Sequence, residues 1–206
     1  MPLFTFSIYP SCPQCTYHQV DITNYSSLSS ALQSCDIVFH TASFGMSGRE
    51  MLNKVQTRRV NILGTRAIVR ACVENKIPYL VYTSTFNVVF GGQPIYNGDE
   101  SLPYFPLDKH TDEYSRTKAV AEIIVLKADR TPFDADGQSN PSVARRPNQK
   151  SSHSKITENG IEQDTNGMLR TCALRAAGIY GEGEERHFPR MYVMLIRHCC
   201  THLLYC

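Results

Sequence analysis

The 206-residue chain has no tryptophan and no run of about 20 apolar residues long enough to cross a bilayer as a helix. It also lacks a charge excess: 21 Lys and Arg against 19 Asp and Glu leave +2 with histidine neutral. A balance that close to zero offers no electrostatic footing for nucleic acid or an anionic membrane surface. The opening MPLFTFSIYPSCPQC has no basic segment ahead of its apolar residues, and prolines and polar groups interrupt them, so no secretory leader is read. The nearest approach to a membrane segment, MYVMLIRHCCTHLLYC, is broken by Arg197, His198 and His202. The eight cysteines (12, 15, 35, 72, 172, 199, 200 and 206) fall within apolar runs such as SCDIVF and TCALRAAG, where a thiol acts as a small hydrophobe. That usage points to a reducing compartment and a cytoplasmic location.

What remains is an ordinary globular composition, 42% hydrophobic and 19% charged. The length suits one domain or somewhat more, on a scale of about 150 residues each. Over the first two-thirds, strand-like and helix-like patterns alternate. CTYHQVDI (15–22) is extended in character, and YSSLSSALQS (25–34) predicts a short helix. DIVFHTA (36–42) reads as a buried strand, and the apolar repeat Leu52, Val55, Ile62, Ala67, Ala71 predicts one long helix over 50–75 that Pro78 cannot continue. YLVYTS (79–84) is a strand, a Gly, Pro and Asn rich loop spans 86–109, and Asp112 starts an amphipathic helix over 112–128. Such alternation predicts an α/β fold with a parallel sheet covered by helices.

The order then breaks. Residues 134–167 carry five apolar side chains, Ala135, Val143, Ala144, Ile156 and Ile161, among clusters such as RRPNQKSSHSK. So little apolar surface does not offset an ordering cost of about 1–2 kcal/mol per residue, so 130–168 is expected to be a disordered insertion. MLRTCALRAAGIYG then reads as a strand running into a glycine turn.

Tyr114-Ser-Arg-Thr-Lys118 is the first candidate for chemistry. A spacing of four places both side chains on one helix face, about 5–6 Å apart at Cβ. A nearby ammonium favours phenolate, which equips a tyrosine for proton transfer. Chance alone gives roughly 0.4 such pairs in this composition, so the spacing carries weight only with its surroundings. The strand VYTST ends in three hydroxyls, Thr83, Ser84 and Thr85, and carboxyl ends of parallel strands form the ligand crevice of α/β sheets. The strand 36–42 ends at the same edge with His40-Thr41-Ala42-Ser43. Cys12-Pro-Gln-Cys15 with His198, Cys199, Cys200 and His202 lacks paired metal-ligand spacing, and no metal site is assigned.

Asp21 in VDI, His40-Thr41-Ala42, Asn61-Ile-Leu-Gly64-Thr65, YTSTFNVVFGG, Tyr114-x-x-x-Lys118 and LRAAGIYGEG fall in the order seen in extended short-chain dehydrogenase/reductases. The sequence resembles the 3β-hydroxysteroid dehydrogenase/isomerase-like branch, and within it family 42E, from about residue 15 to 190 outside the insertion. The resemblance implies that Tyr114 donates or accepts the proton and that Lys118 binds the nicotinamide ribose and lowers the tyrosine pKa. It implies Thr85 as the catalytic hydroxyl, with Ser84 as its neighbouring alternative, and Asn61 as the helix asparagine that supports the lysine through water. Asp21 is expected to face the adenine, with His40, Thr41 and Ala42 lining the cofactor, NAD or NADP. The implied reaction is hydride transfer at a secondary alcohol or ketone of a steroid-like small molecule. A homo-oligomer or a longer relative is the candidate protein partner, and membrane anchoring is left to longer relatives.

No G-x-x-G-x-x-G phosphate turn is present; Gly45-Met-Ser-Gly48 follows a strand without the third glycine. Ala176 stands where the family pattern has proline. The expected fold is therefore an incomplete Rossmann-type, doubly wound parallel sheet lacking its first two strands. Its parts are a partial dinucleotide-binding domain over 15–128, the insertion, a last strand and turn over 169–190, and a divergent tail over 191–206. Two other readings share these residues: a nucleotide-sugar epimerase or dehydratase, and a catalytically silent truncated isoform.

Overall fold

A computed structural model describes residues 16–133, 167–179 and 181. The insertion expected over 130–168 is corrected at its ends, where Thr131–Pro132 and Met168 lie in strands paired by a backbone ladder; 134–166, the tail and the CPQC pair lie outside the described residues. Among those described, four strands, β1 (Ile37–His40), β2 (Tyr79–Thr85), β3 (Thr131–Pro132) and β4 (Met168–Ala176), form one sheet in the order β1-β2-β4-β3. β1 and β2 run parallel in the register Ile37↔Tyr79 to His40↔Tyr82. The α/β, Rossmann-type reading holds, with one correction: the two-residue β3 pairs antiparallel to β4, so the sheet is mixed. Such a short edge strand offers little unpaired backbone.

Two further expectations are corrected. Residues 16–21 form no strand, because no described strand lies beside them to complete a ladder. They lead instead through a turn at Ile22 and Thr23 to α1 (Tyr25–Ala31), whose N-cap Asn24 accepts from the Ser27 amide at 3.4 Å. The single helix expected over 50–75 is also divided. A 3₁₀ turn covers Gly48–Leu52, and Asn53 leaves helical geometry to cap α2 (Lys54–Arg58), accepting from the Gln56 amide at 3.0 Å. A π-helical segment, Arg59–Gly64, then passes directly into α3 (Thr65–Glu74). α3 ends in a Schellman motif, with Lys76 left-handed at φ 57°, the Ile77 amide on the Cys72 carbonyl at 2.8 Å and the Lys76 amide on the Val73 carbonyl at 3.1 Å. Pro78 follows, as its lack of an amide proton requires.

α4 (Glu113–Lys127) opens on Asp112, whose carboxylate accepts from the Ser115 amide at 2.7 Å and the Ser115 hydroxyl at 2.8 Å. Glu113 ties this start to α2 through Arg58 at 2.6 Å. Burial opposes ionisation of that carboxyl, but Arg58 and Arg116 outweigh it and hold its pKa down at about 2. The core lies between the sheet and these helices. Val38, Leu80, Tyr82 and Leu169 from the strands meet Ile68 and Cys72 of α3 and Ala121 and Val125 of α4. Each large apolar side chain removed from water contributes about 1.5–3 kcal/mol. Cys72 behaves as the expected small hydrophobe, its thiol pushed up to about 12 by burial and by the neighbouring Cys35. Cys172 does not, because strand alternation turns it outward on β4. On the other face of β1, Ile37 and Phe39 are exposed. No described helix is long and apolar enough to cross a membrane.

Gly64 packs the π segment against the turn that holds Asp21. A Cβ there would sit 2.5 Å from Ile22 Cδ1 and 2.8 Å from its Cγ1. Gly64→Ala should therefore lose about 1–3 kcal/mol of stability through overpacking. Urea denaturation reads this directly, and an unchanged midpoint would refute the close approach.

Candidate functional site

The parallel register His40↔Tyr82 brings the carboxyl ends of β1 and β2 to one edge of the sheet. Thr41, Ala42 and Ser43 emerge there exposed, beside the strand end that carries Thr83, Ser84 and Thr85. α4 crosses this edge with Tyr114 and Lys118 one turn apart, both buried.

Lys118 is the centre of the arrangement. It is 2% exposed; its ammonium donates to the Thr83 carbonyl and lies 4.2 Å from the centroid of the Tyr82 ring. The ring face attracts the cation. Burial nevertheless lowers its pKa from 10.5 to about 8, with the Glu122 carboxylate pulling the other way. Tyr82 is itself held protonated far above its ordinary range, first by burial and then by the negative charges of Tyr114 and Glu122. It is therefore a neutral wall beside Lys118.

The two candidate hydroxyls divide by strand alternation. Ser84 shares the inner face with Leu80 and Tyr82, and its hydroxyl donates to Glu122. That donation consumes its only proton. Thr85 points to the opposite face, where its oxygen accepts from the Asn87 amide at 3.3 Å as the cap of a 3₁₀ turn over Phe86–Val88. Accepting leaves the Thr85 proton available to a ligand carbonyl. Of the two, Thr85 keeps a proton uncommitted in these bonds and Ser84 does not.

Asn61 sits in the π segment, where the local widening of the helix turns its side chain toward both neighbouring elements. Its amide nitrogen donates to the Phe44 carbonyl at 3.0 Å and to Thr117 Oγ1 at 2.9 Å, and its oxygen accepts from the Phe44 amide at 2.8 Å. Thr117 in turn donates to the Tyr114 carbonyl at 2.9 Å. The side chain therefore pins the loop after β1 and the start of α4, and contacts neither Lys118 nor Tyr114 side chains in these bonds. Sequence reasoning did not anticipate the Thr117 link.

His40 is buried at the end of β1, its ring centroid 5.1 Å from that of Tyr82. Thr65 Oγ1 donates to the Asn61 carbonyl at 2.7 Å, so it accepts from His40 Nε2–H at 2.8 Å. This network assigns the Nε2-protonated tautomer and leaves Nδ1 a bare acceptor with no partner among the described residues. Burial, then the Lys118 charge, push the histidine pKa down to about 3, so the ring is neutral. Asp21 stands apart from this cluster. Its exposed carboxylate accepts from the Thr23 amide and hydroxyl, both at 2.8 Å, which lowers its pKa; Arg59 lowers it further.

Glu122, Tyr104 and Arg175 were not anticipated. Glu122 is 1% exposed and accepts from Ser84, from the Tyr104 hydroxyl at 2.9 Å and from Arg175 at 2.9 and 3.0 Å. Its spacing, four residues beyond Lys118, was a legible signal; Tyr104 and Arg175 are too distant in sequence to give one. No cluster of three or more metal-ligating side chains occurs among the described residues.

The buried lysine has a consequence for stability. Its folded pKa lies below the unfolded one, so between about pH 8 and 10.5 the unfolded chain binds a proton that the folded chain does not. Folding stability should rise across that window, by on the order of 3 kcal/mol, as the cost of the buried charge disappears. Lys118→Met should lack this gain. Urea midpoints at pH 7 and 10 compare the two; parallel pH dependence in parent and variant would sink the assignment.

The chain is 47% identical over 175 residues to short-chain dehydrogenase/reductase family 42E member 1 of Danio rerio, covering 85% of this chain and 38% of that one. It is 49% identical to the Homo sapiens protein of that name over 84% of this chain and 37% of the relative. It is 32% identical to a 3 beta-hydroxysteroid dehydrogenase/Delta 5→4-isomerase of Mycobacterium tuberculosis (strain CDC 1551 / Oshkosh), over 93% and 43%. The chain thus spans well under half the length of these relatives. Among solved structures it is similar to the NAD⁺ complex of WbmH from Bordetella bronchiseptica, at a TM-score of 0.48 and 21% identity over 55% of this chain and 37% of that one. The NAD complex of UDP-glucose 4-epimerase from Thermus thermophilus gives 0.46 and 23%, over 52% and 34%. A model of the 3-beta hydroxysteroid dehydrogenase/isomerase family matches residues 7–150 and 146–201. That match spans most of the chain, and the chain belongs to the 3-beta hydroxysteroid dehydrogenase/isomerase family.

Proposed function

We propose that this site serves NAD(P)-dependent oxidation or reduction at a secondary alcohol or ketone of a steroid-like substrate. The observation that carries the reading is the buried Lys118 ammonium beside the strand end, one helical turn beyond Tyr114. Family membership supports the reaction class. The nicotinamide cofactor supplies or accepts the hydride when bound.

The residues present fit the ribose end of such a cofactor. An ammonium has three donors, and Lys118 gives one to the Thr83 carbonyl, which leaves donors for ribose hydroxyls. His40 Nδ1 is a buried acceptor without a partner, suited to a hydroxyl or amide donor. Thr41 and Ala42 would line the same edge, and Asp21 would take the adenine side. Among the described residues no glycine turn at a helix N-terminus stands ready for the pyrophosphate. Gly45, at φ 88°, instead precedes a 3₁₀ segment that opens on Gly48 at φ 66°.

In this reading Tyr114 exchanges the proton with the substrate oxygen, and the Lys118 charge stabilises the phenolate form. The Thr85 hydroxyl donates to the same oxygen and orients it. Asn61, through Thr117, fixes the first turn of α4 and so the position of Tyr114. The choice between NAD and NADP, and the substrate itself, are left to measurement.

Thermal melts with NADH and NADPH test the cofactor. At a hundredfold excess over Kd, a ligand specific for the native state adds about 2.7 kcal/mol of stability. The matching cofactor should raise the midpoint, and Tyr114→Phe should retain that rise while losing turnover of a 3β-hydroxysteroid by at least ~100-fold. A midpoint that neither cofactor moves would favour the catalytically silent reading. Equal turnover by parent and Tyr114→Phe would remove the tyrosine from the chemistry.

A further inference from the structure

Glu122 has no role in the proton transfer just described, yet it is one of the most completely enclosed groups in the chain. A buried carboxylate without partners would take up a proton rather than stay charged. This one has four donor bonds from three elements. Ser84 reaches it from β2; Arg175 from β4 gives two nitrogens at 2.9 and 3.0 Å, and the Tyr104 hydroxyl comes from the loop before α4. Arg175 also lies 5.2 Å from the centroid of the Tyr104 ring. The carboxylate is thus fixed by donors from three elements. Tyr114, Lys118 and Glu122 recur at intervals of four and share one face of α4.

We propose that Glu122 is a positioning residue for the site, a buried carboxylate that offsets the charge of Lys118 one helical turn away and commits the Ser84 proton away from substrate. The groups facing Lys118 are few. β2 presents the Thr83 carbonyl and the Tyr82 ring, β1 the neutral His40, and α4 itself Tyr114 and Glu122. Among these, Glu122 is the one carboxylate. Burial pulls the lysine toward its neutral form and Glu122 opposes it. A second consequence is selective: with Ser84 donating inward, a ligand at this strand end meets the hydroxyls of the other face instead, Thr85 among them.

The catalytic consequence rests on the function proposed above, but the coupling itself is readable without cofactor or substrate. Protein labelled with ¹³C at the lysine ε-carbon reports the Lys118 titration by NMR, with Lys118→Met identifying its signal. The parent midpoint is expected near 8. In Glu122→Gln it should fall by ~1 pH unit or more, because a charge about one helical turn away has been removed. Glu122→Gln leaves the half-buried Arg175 without its counter-charge, so Glu122→Gln/Arg175→Met serves as the second variant; its midpoint should fall as well. A midpoint unmoved in either folded variant overturns the proposal. A downward shift without cofactor binding in the melts would leave the coupling standing and sink the dehydrogenase reading alone.

Discussion

A lysine ammonium enclosed by protein is costly unless its donors and its charge are both answered, and the site is organised around answering them. Thr83 supplies a carbonyl, Tyr82 a ring face and Glu122 a charge. Each comes from a different requirement of the fold. The carbonyl is free to accept because β2 is ending at its carboxyl edge, and the ring is inward because Tyr82 alternates with Leu80. Glu122 is fixed in place because two strands and a loop each bring it a donor. Remove any one and the ammonium drifts toward its neutral form or the pocket must open to water.

The same alternation decides which hydroxyl can act. Three consecutive hydroxyls look interchangeable as letters, but a two-residue period separates them. Ser84 falls on the helix side and is spoken for by Glu122; Thr85 falls on the other side and keeps its proton. Asn61 shows a related division of labour. Its amide is fully used in joining the Phe44 loop to Thr117. Its influence on Tyr114 is therefore exerted through the backbone of α4, and the π segment is what gives the amide reach in both directions.

Much of this was legible from the letters. Strand–helix alternation specified an α/β sheet, Asp112 and Pro78 marked helix boundaries through capping and the missing amide proton, and the four-residue interval put Tyr114 and Lys118 together. The less legible features share a cause: they depend on groups far apart in the chain. The break at Asn53 and the π turn after it arise because a local side-chain bond and the packing of Gly64 on Ile22 outweigh a good helical period. Residues 16–21 have strand-like letters but no neighbouring described strand, and extended propensity without a ladder makes no strand.

Chain connectivity and side-chain type therefore determined the class of fold, the helix carrying the tyrosine and lysine, and the edge where ligands would meet them. Tertiary structure alone decided the electrostatics: that Lys118 is buried, that His40 is neutral with a bare Nδ1, and that Tyr104 and Arg175 converge on Glu122 from positions 18 and 53 residues away. Local propensity is written within a few residues, whereas burial and the pairing of buried charge depend on which distant segments exclude water together.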